Sequence, residues 1–172
     1  NLLRSIELLD VAVANYFSNE SMSMARYYNP YTQVSSQERA SVWMYTSAIE
    51  AVNAVLKALK AQNDLGYTLL YDQYNTRYVQ LLEKLFAGLQ YYKGTFRLVS
   101  YTQTKEWSVY AVNRAGAPGT ADVSGILNVY DDQQWLVREL LESYHLTGNK
   151  EYLYEAEYLA QYVLDGWDCT LD

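Results

Sequence analysis

The chain has 172 residues, 50% of them hydrophobic, so it is long and apolar enough for one globular domain with a sizeable core. Its net charge of −7 and the absence of a Lys/Arg cluster argue against nucleic acid as a partner, because phosphate binding needs a concentrated positive surface. No apolar run approaches the roughly 20 residues of a membrane span, and the single cysteine, Cys169, excludes an internal disulfide bond and a cysteine-based metal cluster. We therefore expect residues 1–172 to form a single domain.

Three amphipathic helices are predicted in the first 92 residues, because apolar residues recur at steps of three and four. The first helix should end near Asn19. The second should begin near Ser35, which has the capping-box spacing to Glu38, and Gly94 should end the third. The three stripes are Leu2, Ile6, Leu9, Val13 and Phe17; Val42, Tyr45, Ile49, Val52, Leu56 and Leu59; and Tyr71, Tyr74, Tyr78, Leu82, Leu85, Leu89 and Tyr92.

Residues 93–128 carry no clear periodicity and are interpreted as irregular chain, with an extended or short helical piece at residues 96–101. Glycines and a proline interrupt the second half of this segment. Since it leads directly into two adjacent aspartates, we interpret it as a loop that lines a cleft. Trp107 and Tyr110 within it either offer rings on which a sugar stacks or anchor the loop to the core.

Two further helices are predicted on either side of Thr147-Gly148-Asn149, with Gly148 at the position after the first helix and Asn149 as N-cap of the next. So short a connection predicts an antiparallel helix hairpin. His145, the sole histidine, lies in the last turn of the first helix, where its charge complements the helix dipole better than it would serve a metal. Five or six helices without a convincing set of strands predict an all-α fold.

Tyrosine is unusually frequent: the chain has 19 tyrosines and 4 tryptophans but only 3 phenylalanines. A tyrosine combines an apolar ring with a polar tip, which suits half-wet surfaces such as clefts. Because sugars present apolar faces rimmed by hydroxyl groups, this composition favours a glycan-binding groove. The alternative is that most of these tyrosines are ordinary, partly buried helix residues.

The most informative pair is Asp131-Asp132, which lies between Tyr130 and the start of a helix. Two carboxyl groups held by a rigid element beside a loop suit acid–base catalysis. One of them could equally be an N-cap, since Asp131 and Gln134 have the spacing of a capping box. The two roles are compatible.

The last third of the chain resembles glycoside hydrolase family 76, whose members are α-1,6-mannanases. The resemblance is dense over residues 130–168 and looser before them. It is carried by Tyr130-Asp131-Asp132-Gln133-Gln134-Trp135, Leu140-Leu141-Glu142-Ser143-Tyr144, Leu146-Thr147-Gly148-Asn149, Tyr152-Leu153, Ala156 and Gly166-Trp167-Asp168.

The resemblance implies an (α/α)6 barrel of twelve helices and retaining endo-hydrolysis of α-mannan without a metal or cofactor. Asp131 would then be the nucleophile and Asp132 the general acid/base. Tyr130, Trp135, Trp167 and Asp168 would contact the substrate, together with Trp107 and Tyr110. The location implied is extracellular, periplasmic or at the cell surface, with any targeting segment outside the given chain.

Adjacent aspartates are consistent with this chemistry. A retaining enzyme needs carboxyl groups about 5–5.5 Å apart, and neighbouring Cα atoms lie about 3.8 Å apart, so diverging side chains can reach that separation. The carboxyl group nearer the helix N-terminal amides should stay ionised, and the one facing its partner's charge should hold its proton.

About five helices are less than half of a twelve-helix barrel, so we expect the chain to be an N-terminal portion of such an enzyme. Three other interpretations stay open. One is a non-catalytic helical glycan-binding protein, in which mutation of the aspartates would spare binding. Another is a different sugar-active α/α toroid enzyme, such as an epimerase, although epimerases commonly use paired histidines. The third is a plain helical scaffold.

Overall fold

The computed structural model describes residues 1–18, 20–99 and 104–166. The described residues are mostly helical, with five α-helices and three small antiparallel sheets of two strands each. The helices are α1 (Leu2–Tyr16), α2 (Val42–Asp64), α3 (Leu69–Leu89), α4 (Tyr130–Thr147) and α5 (Lys150–Asp165). The strands are β1 (Phe17–Ser18), β2 (Ser23–Met24), β3 (Tyr28–Asn29), β4 (Val34–Ser35), β5 (Lys93–Val99) and β6 (Thr104–Tyr110).

The helical stripes predicted from the sequence are largely confirmed. Every member of the second stripe, from Val42 to Leu59, is at most 2% exposed. The third stripe is buried from Tyr78 onwards, whereas Tyr71 and Tyr74 at its start are half-buried. Local periodicity therefore identified which helix faces enter a core. None of the described helices combines the length and the apolar character that crossing a bilayer would require.

Two predicted helix boundaries are wrong. Ser35 does not cap α2, because it lies in β4 and its hydroxyl group donates to the carbonyl of Asn15 at 2.5 Å. Gly94 does not end α3, which finishes at Leu89 and continues as a 3-10 turn to Tyr92. Gly94 instead lies in β5, where a Cβ atom would overlap the carbonyl oxygen of Ala121.

The described chain divides into two compact units. Unit 1 comprises Asn1–Ala40 and Ser47–Gly88. Within it, α1 is tied to α3 by Asp10, whose carboxylate accepts hydrogen bonds from Arg77 at 2.5 Å and from the Tyr78 hydroxyl at 2.7 Å. The short hairpins β1–β2 and β3–β4 follow α1.

Unit 2 comprises Ser41–Thr46 and the described part of residues 89–172. Its main elements are the β5–β6 hairpin, in which Lys93 pairs with Tyr110, and the helices α4 and α5. The hairpin corrects the expectation of irregular chain without strands at residues 93–110. Gly148, with a φ of 73°, ends α4, and the Asn149 side chain accepts the Glu151 N–H and caps α5. Both turn residues were predicted correctly.

Candidate active site

Asp131 and Asp132 occupy the first turn of α4. The helix begins at Tyr130, and the residue before it, Val129, is extended and makes no side-chain capping bond. Neither aspartate is therefore the N-cap, and the capping-box interpretation with Gln134 is wrong. In the first turn, both carboxyl groups lie where the helix dipole stabilises negative charge.

The two carboxyl groups have unlike environments. Asp131 is exposed, and one of its oxygens accepts the backbone N–H of Asp132 at 3.0 Å. Asp132 is only 9% exposed, and none of the described residues donates a hydrogen bond to its carboxyl group. Burial, and secondarily the charge of Asp131, raise the pKa of Asp132 above its ordinary value. The direction agrees with a group that retains its proton while its neighbour is charged.

Gln133, the next residue, joins this turn to the hairpin. Its Nε2 donates to the Tyr110 carbonyl at 2.6 Å, and its Oε1 accepts the Tyr110 N–H at 3.1 Å. Gln133 is fully buried. Gln133 was not predicted as a site residue, although the sequence contains a signal: a glutamine three residues before Leu136 and seven before Leu140 continues a buried apolar stripe with a polar group.

Trp107 and Tyr110 are buried in unit 2, with exposures of 1% and 0%. The Trp107 ring packs against Tyr158 at 5.3 Å and Tyr162 at 5.4 Å between centroids. A ring without solvent access presents no face to a sugar, so their predicted role as sugar platforms is corrected. Of the two roles left open, anchoring to the core is the one the structure supports.

Tyr110 also belongs to a partly buried ionic cluster. Its hydroxyl group donates to Glu155 Oε1 at 2.8 Å, and Lys93 Nζ lies 2.6 Å from the same oxygen. The Lys93 and Glu155 side chains are only 20% and 15% exposed. Burial, and then the charge of Glu155, raise the pKa of Tyr110 well above its usual value, so the phenol stays protonated and can donate.

Among the described residues, Tyr130 and Trp135 are the predicted aromatic contacts with access to solvent. Tyr130 is 38% exposed and its ring lies 5.1 Å from that of Tyr162, whose hydroxyl group donates to Asn128 Oδ1 at 2.6 Å. Trp135 is half-buried. Trp167 and Asp168 lie outside the described residues. Tyr130, which directly precedes Asp131 in the chain, therefore has a partly exposed ring that packs against Tyr162.

Two apolar cavities lie elsewhere, in unit 1. Their volumes are about 610 and 200 Å³, and Leu9, Ala12 and Ala51 line both. Neither is lined by Asp131 or Asp132. Within the described ranges, no three or more His, Cys, Asp or Glu side chains are grouped as metal ligands would be.

No protein-family model matches the chain, and no curated protein matches it significantly. The resemblance to glycoside hydrolase family 76 therefore depends on the residues of the Asp131-Asp132 motif and of the helix hairpin that follows.

Proposed function

We propose that this chain is a retaining endo-α-1,6-mannanase similar to glycoside hydrolase family 76. The observation that carries the proposal is the contrast between two adjacent carboxyl groups, one exposed and one buried with a raised pKa. Glycosidases need one carboxylate and one carboxylic acid at the same pH, and unlike environments are the physical means of keeping both.

In the proposed mechanism, Asp131 attacks the anomeric carbon while Asp132 gives its proton to the departing glycosidic oxygen. The C–O bond of the linkage breaks as the bond from Asp131 to the sugar forms. Asp132, now ionised, then takes a proton from water, and the resulting hydroxide displaces Asp131 from the sugar. Two displacements at one carbon return the original anomeric configuration, and both side chains recover their starting charge states.

The substrate class follows from the resemblance and is supported by the exposed aromatic ring beside the acids. Tyr130 presents a partly exposed face, held by Tyr162, on which a pyranose ring can stack. The proposal also includes the finer fold: the α4–α5 hairpin is the repeating unit from which an (α/α)6 barrel is built. A location outside the cytoplasm belongs to the same proposal, because α-mannan is a polysaccharide of cell surfaces.

The test is to incubate the protein with unbranched α-1,6-mannan and follow the products by NMR. The first product formed should be the α-anomer. Asp131→Asn should abolish turnover, and Asp132→Asn should lower it about 10²–10⁴-fold through loss of acid–base catalysis. The far-UV circular dichroism of both variants should match that of the wild type.

Asp72→Asn is the matched control, since Asp72 is an exposed acidic residue in the first turn of α3. It should leave turnover intact. The proposal fails if either active-site variant keeps most of the activity, or if the first product is the β-anomer. Sugar binding that survives both substitutions in a protein without turnover would favour a non-catalytic glycan-binding protein.

A further inference from the structure

Among the described residues, no further strand pairs with the outer edge of β6, and at Tyr110 a side chain takes that place. Tyr110 pairs with Lys93 on its inner side. The N–H and C=O groups of Tyr110 are both satisfied by the Gln133 carboxamide, at 3.1 and 2.6 Å. An amide matches a peptide group in having one donor and one acceptor side by side, so Gln133 takes the place of a neighbouring strand.

The same carboxamide also contacts the beginning of α4. Its Nε2 lies 3.4 Å from the carbonyl oxygen of Val129, the residue that precedes the helix. Gln133 thus joins the first turn of α4, which carries Asp131 and Asp132, to the end of β6. Because the side chain is fully buried, each broken bond would leave an unsatisfied polar group inside the protein.

The point to which Gln133 is attached is itself held firmly. The Tyr110 side chain donates to Glu155 on α5, and Glu155 is paired with Lys93 on β5. Tyr110 is therefore fixed through its backbone by α4 and through its hydroxyl group by α5. Among the described residues, the ionisable groups in contact at this junction are Lys93, Tyr110 and Glu155, while Asp131 is the charged neighbour of Asp132.

We propose that Gln133 is a positioning residue, which holds the first turn of α4 against β6 and thereby fixes the separation of the two carboxyl groups and the burial of Asp132. The consequence for hydrolysis rests on the proposed function. The consequence for Asp132 itself does not, because the burial of a carboxyl group can be measured without substrate.

The test compares Gln133→Met with Gln134→Met. Methionine matches the length of glutamine but neither donates nor accepts as an amide does. Gln134 is the exposed neighbour of Gln133, so its variant controls for the change in composition. The first measurement is the titration of Asp132, followed by carboxyl-carbon NMR in the substrate-free protein. The second is the separation of kcat from KM on α-1,6-mannan.

In Gln133→Met, water should reach Asp132, so its pKa should fall towards the ordinary value. The kcat should fall by about 10- to 100-fold, since small misplacements of reacting groups are that costly, with KM changed by less than about twofold. Gln134→Met should match the wild type in both measurements. An unchanged Asp132 titration in a folded Gln133→Met protein would overturn the proposal, even if the variant were less stable, because the role would then be structural only.

Gln133→Glu keeps the proposal testable if the methionine variant does not fold. A protonated carboxyl group reproduces both bonds to Tyr110, whereas the ionised form cannot donate. The turnover of this variant relative to the wild type should therefore fall as the pH rises. A ratio that does not change with pH would overturn the proposal. If the wild type lacks mannanase activity, the proposed function fails, and the titration of Asp132 still decides the role of Gln133.

Discussion

Asp132 is a buried residue directly beside Asp131, which is exposed to solvent. Burial and the neighbouring charge act in the same direction, and both raise the pKa of Asp132. The native state therefore holds this proton more tightly than the unfolded chain does. Above the pKa that the group has in the unfolded chain, this difference costs the native state free energy, as expected of a group placed for chemistry rather than for stability.

The first prediction is that Asp132→Asn makes the protein more stable at pH 7, relative to the wild type, than at pH 3. Below the unfolded pKa of about 3.9 both states are protonated and the penalty is absent. As the pH rises through the raised native pKa, the unfolded state binds fewer protons than the native state, so wild-type stability falls. A native state that binds this proton tenfold more tightly than the unfolded chain loses about 1.4 kcal/mol of stability above both pKa values. Urea denaturation at the two pH values measures the difference.

Asp72→Asn serves again as the control, because Asp72 is exposed in the first turn of α3, and it should not become more stabilising at pH 7 than at pH 3. Asp131→Asn removes the neighbouring charge and should lower the pKa of Asp132. The pKa should still stay above its ordinary value, because burial is the larger cause of its elevation. A stability difference for Asp132→Asn that is the same at pH 3 and pH 7 would contradict the raised pKa.

The second prediction concerns the cluster of Lys93, Glu155 and Tyr110. Lys93→Met removes the cation and leaves the partly buried carboxylate of Glu155 with the Tyr110 hydroxyl as its one hydrogen-bond partner among the described residues. The free energy of unfolding should fall by about 1–3 kcal/mol, measured by urea denaturation. Lys60→Met is the control, since Lys60 faces Asp64 across 3.8 Å on an exposed helix surface, and it should cost less than about 0.5 kcal/mol. Equal effects of the two substitutions would contradict the expectation that the partly buried ion pair contributes more to stability than the exposed one.

The third prediction is that Gly94→Ala is strongly destabilising, whereas Gly116→Ala is not. A Cβ atom on residue 94 would overlap the carbonyl of Ala121, which is held close because the Ala121 N–H donates to the Lys93 carbonyl at 3.0 Å. Backbone cannot move aside as a side chain can, so we expect a cost of about 1–3 kcal/mol or more. Around Gly116 a Cβ atom would meet nothing within 4 Å. Thermal unfolding of both variants tests the contrast, and a tolerated Gly94→Ala would show that the segment after β6 can shift.

The fourth prediction uses Gly166, whose φ of −62° suits any residue but whose Cβ position is occupied by the ring of Tyr130. In Gly166→Ala the Tyr130 side chain should swing away from Tyr162. Because its tip can move, stability should change little. The displaced Tyr130 ring would no longer stack on the sugar. Loss of that one contact, about 0.5–1.5 kcal/mol, should raise KM for α-1,6-mannan by up to about tenfold.

A double-mutant cycle with Tyr130→Ala tests whether Gly166→Ala changes KM by displacing the Tyr130 side chain. In the Tyr130→Ala background, Gly166→Ala should have no further effect on KM. An effect of the same size in both backgrounds would mean that Gly166 acts through some other residue.

Most helices could be predicted because a helix face repeats within a few residues. The stripe from Val42 to Leu59 is buried in full, and the turn at Gly148 and Asn149 has the predicted chemistry. The start of α2 was misplaced because Ser35 has the spacing of a capping residue, but its hydroxyl group bonds to Asn15, twenty residues earlier. A spacing rule contains no information about such a distant partner.

The β5–β6 hairpin could not be predicted for the same reason. Gly94 was predicted to end a helix, yet it lies inside β5. A glycine is needed there because the carbonyl of Ala121 approaches too closely for a larger residue. Trp107 and Tyr110 read as surface aromatics of a loop, yet α5 covers them with Tyr158, Tyr162 and Glu155. In both cases the deciding contact comes from a later part of the chain.

The sequence by itself determined that this protein is mainly helical and that two adjacent acids stand at the beginning of a helix, since both depend on short-range spacing. Only the tertiary structure decided that Asp132 is buried while Asp131 is exposed, and that Gln133 ties their helix to Tyr110. Exposure and hydrogen-bond partners depend on segments more than twenty residues apart in the chain. Packing brings these segments together, and no local pattern specifies it.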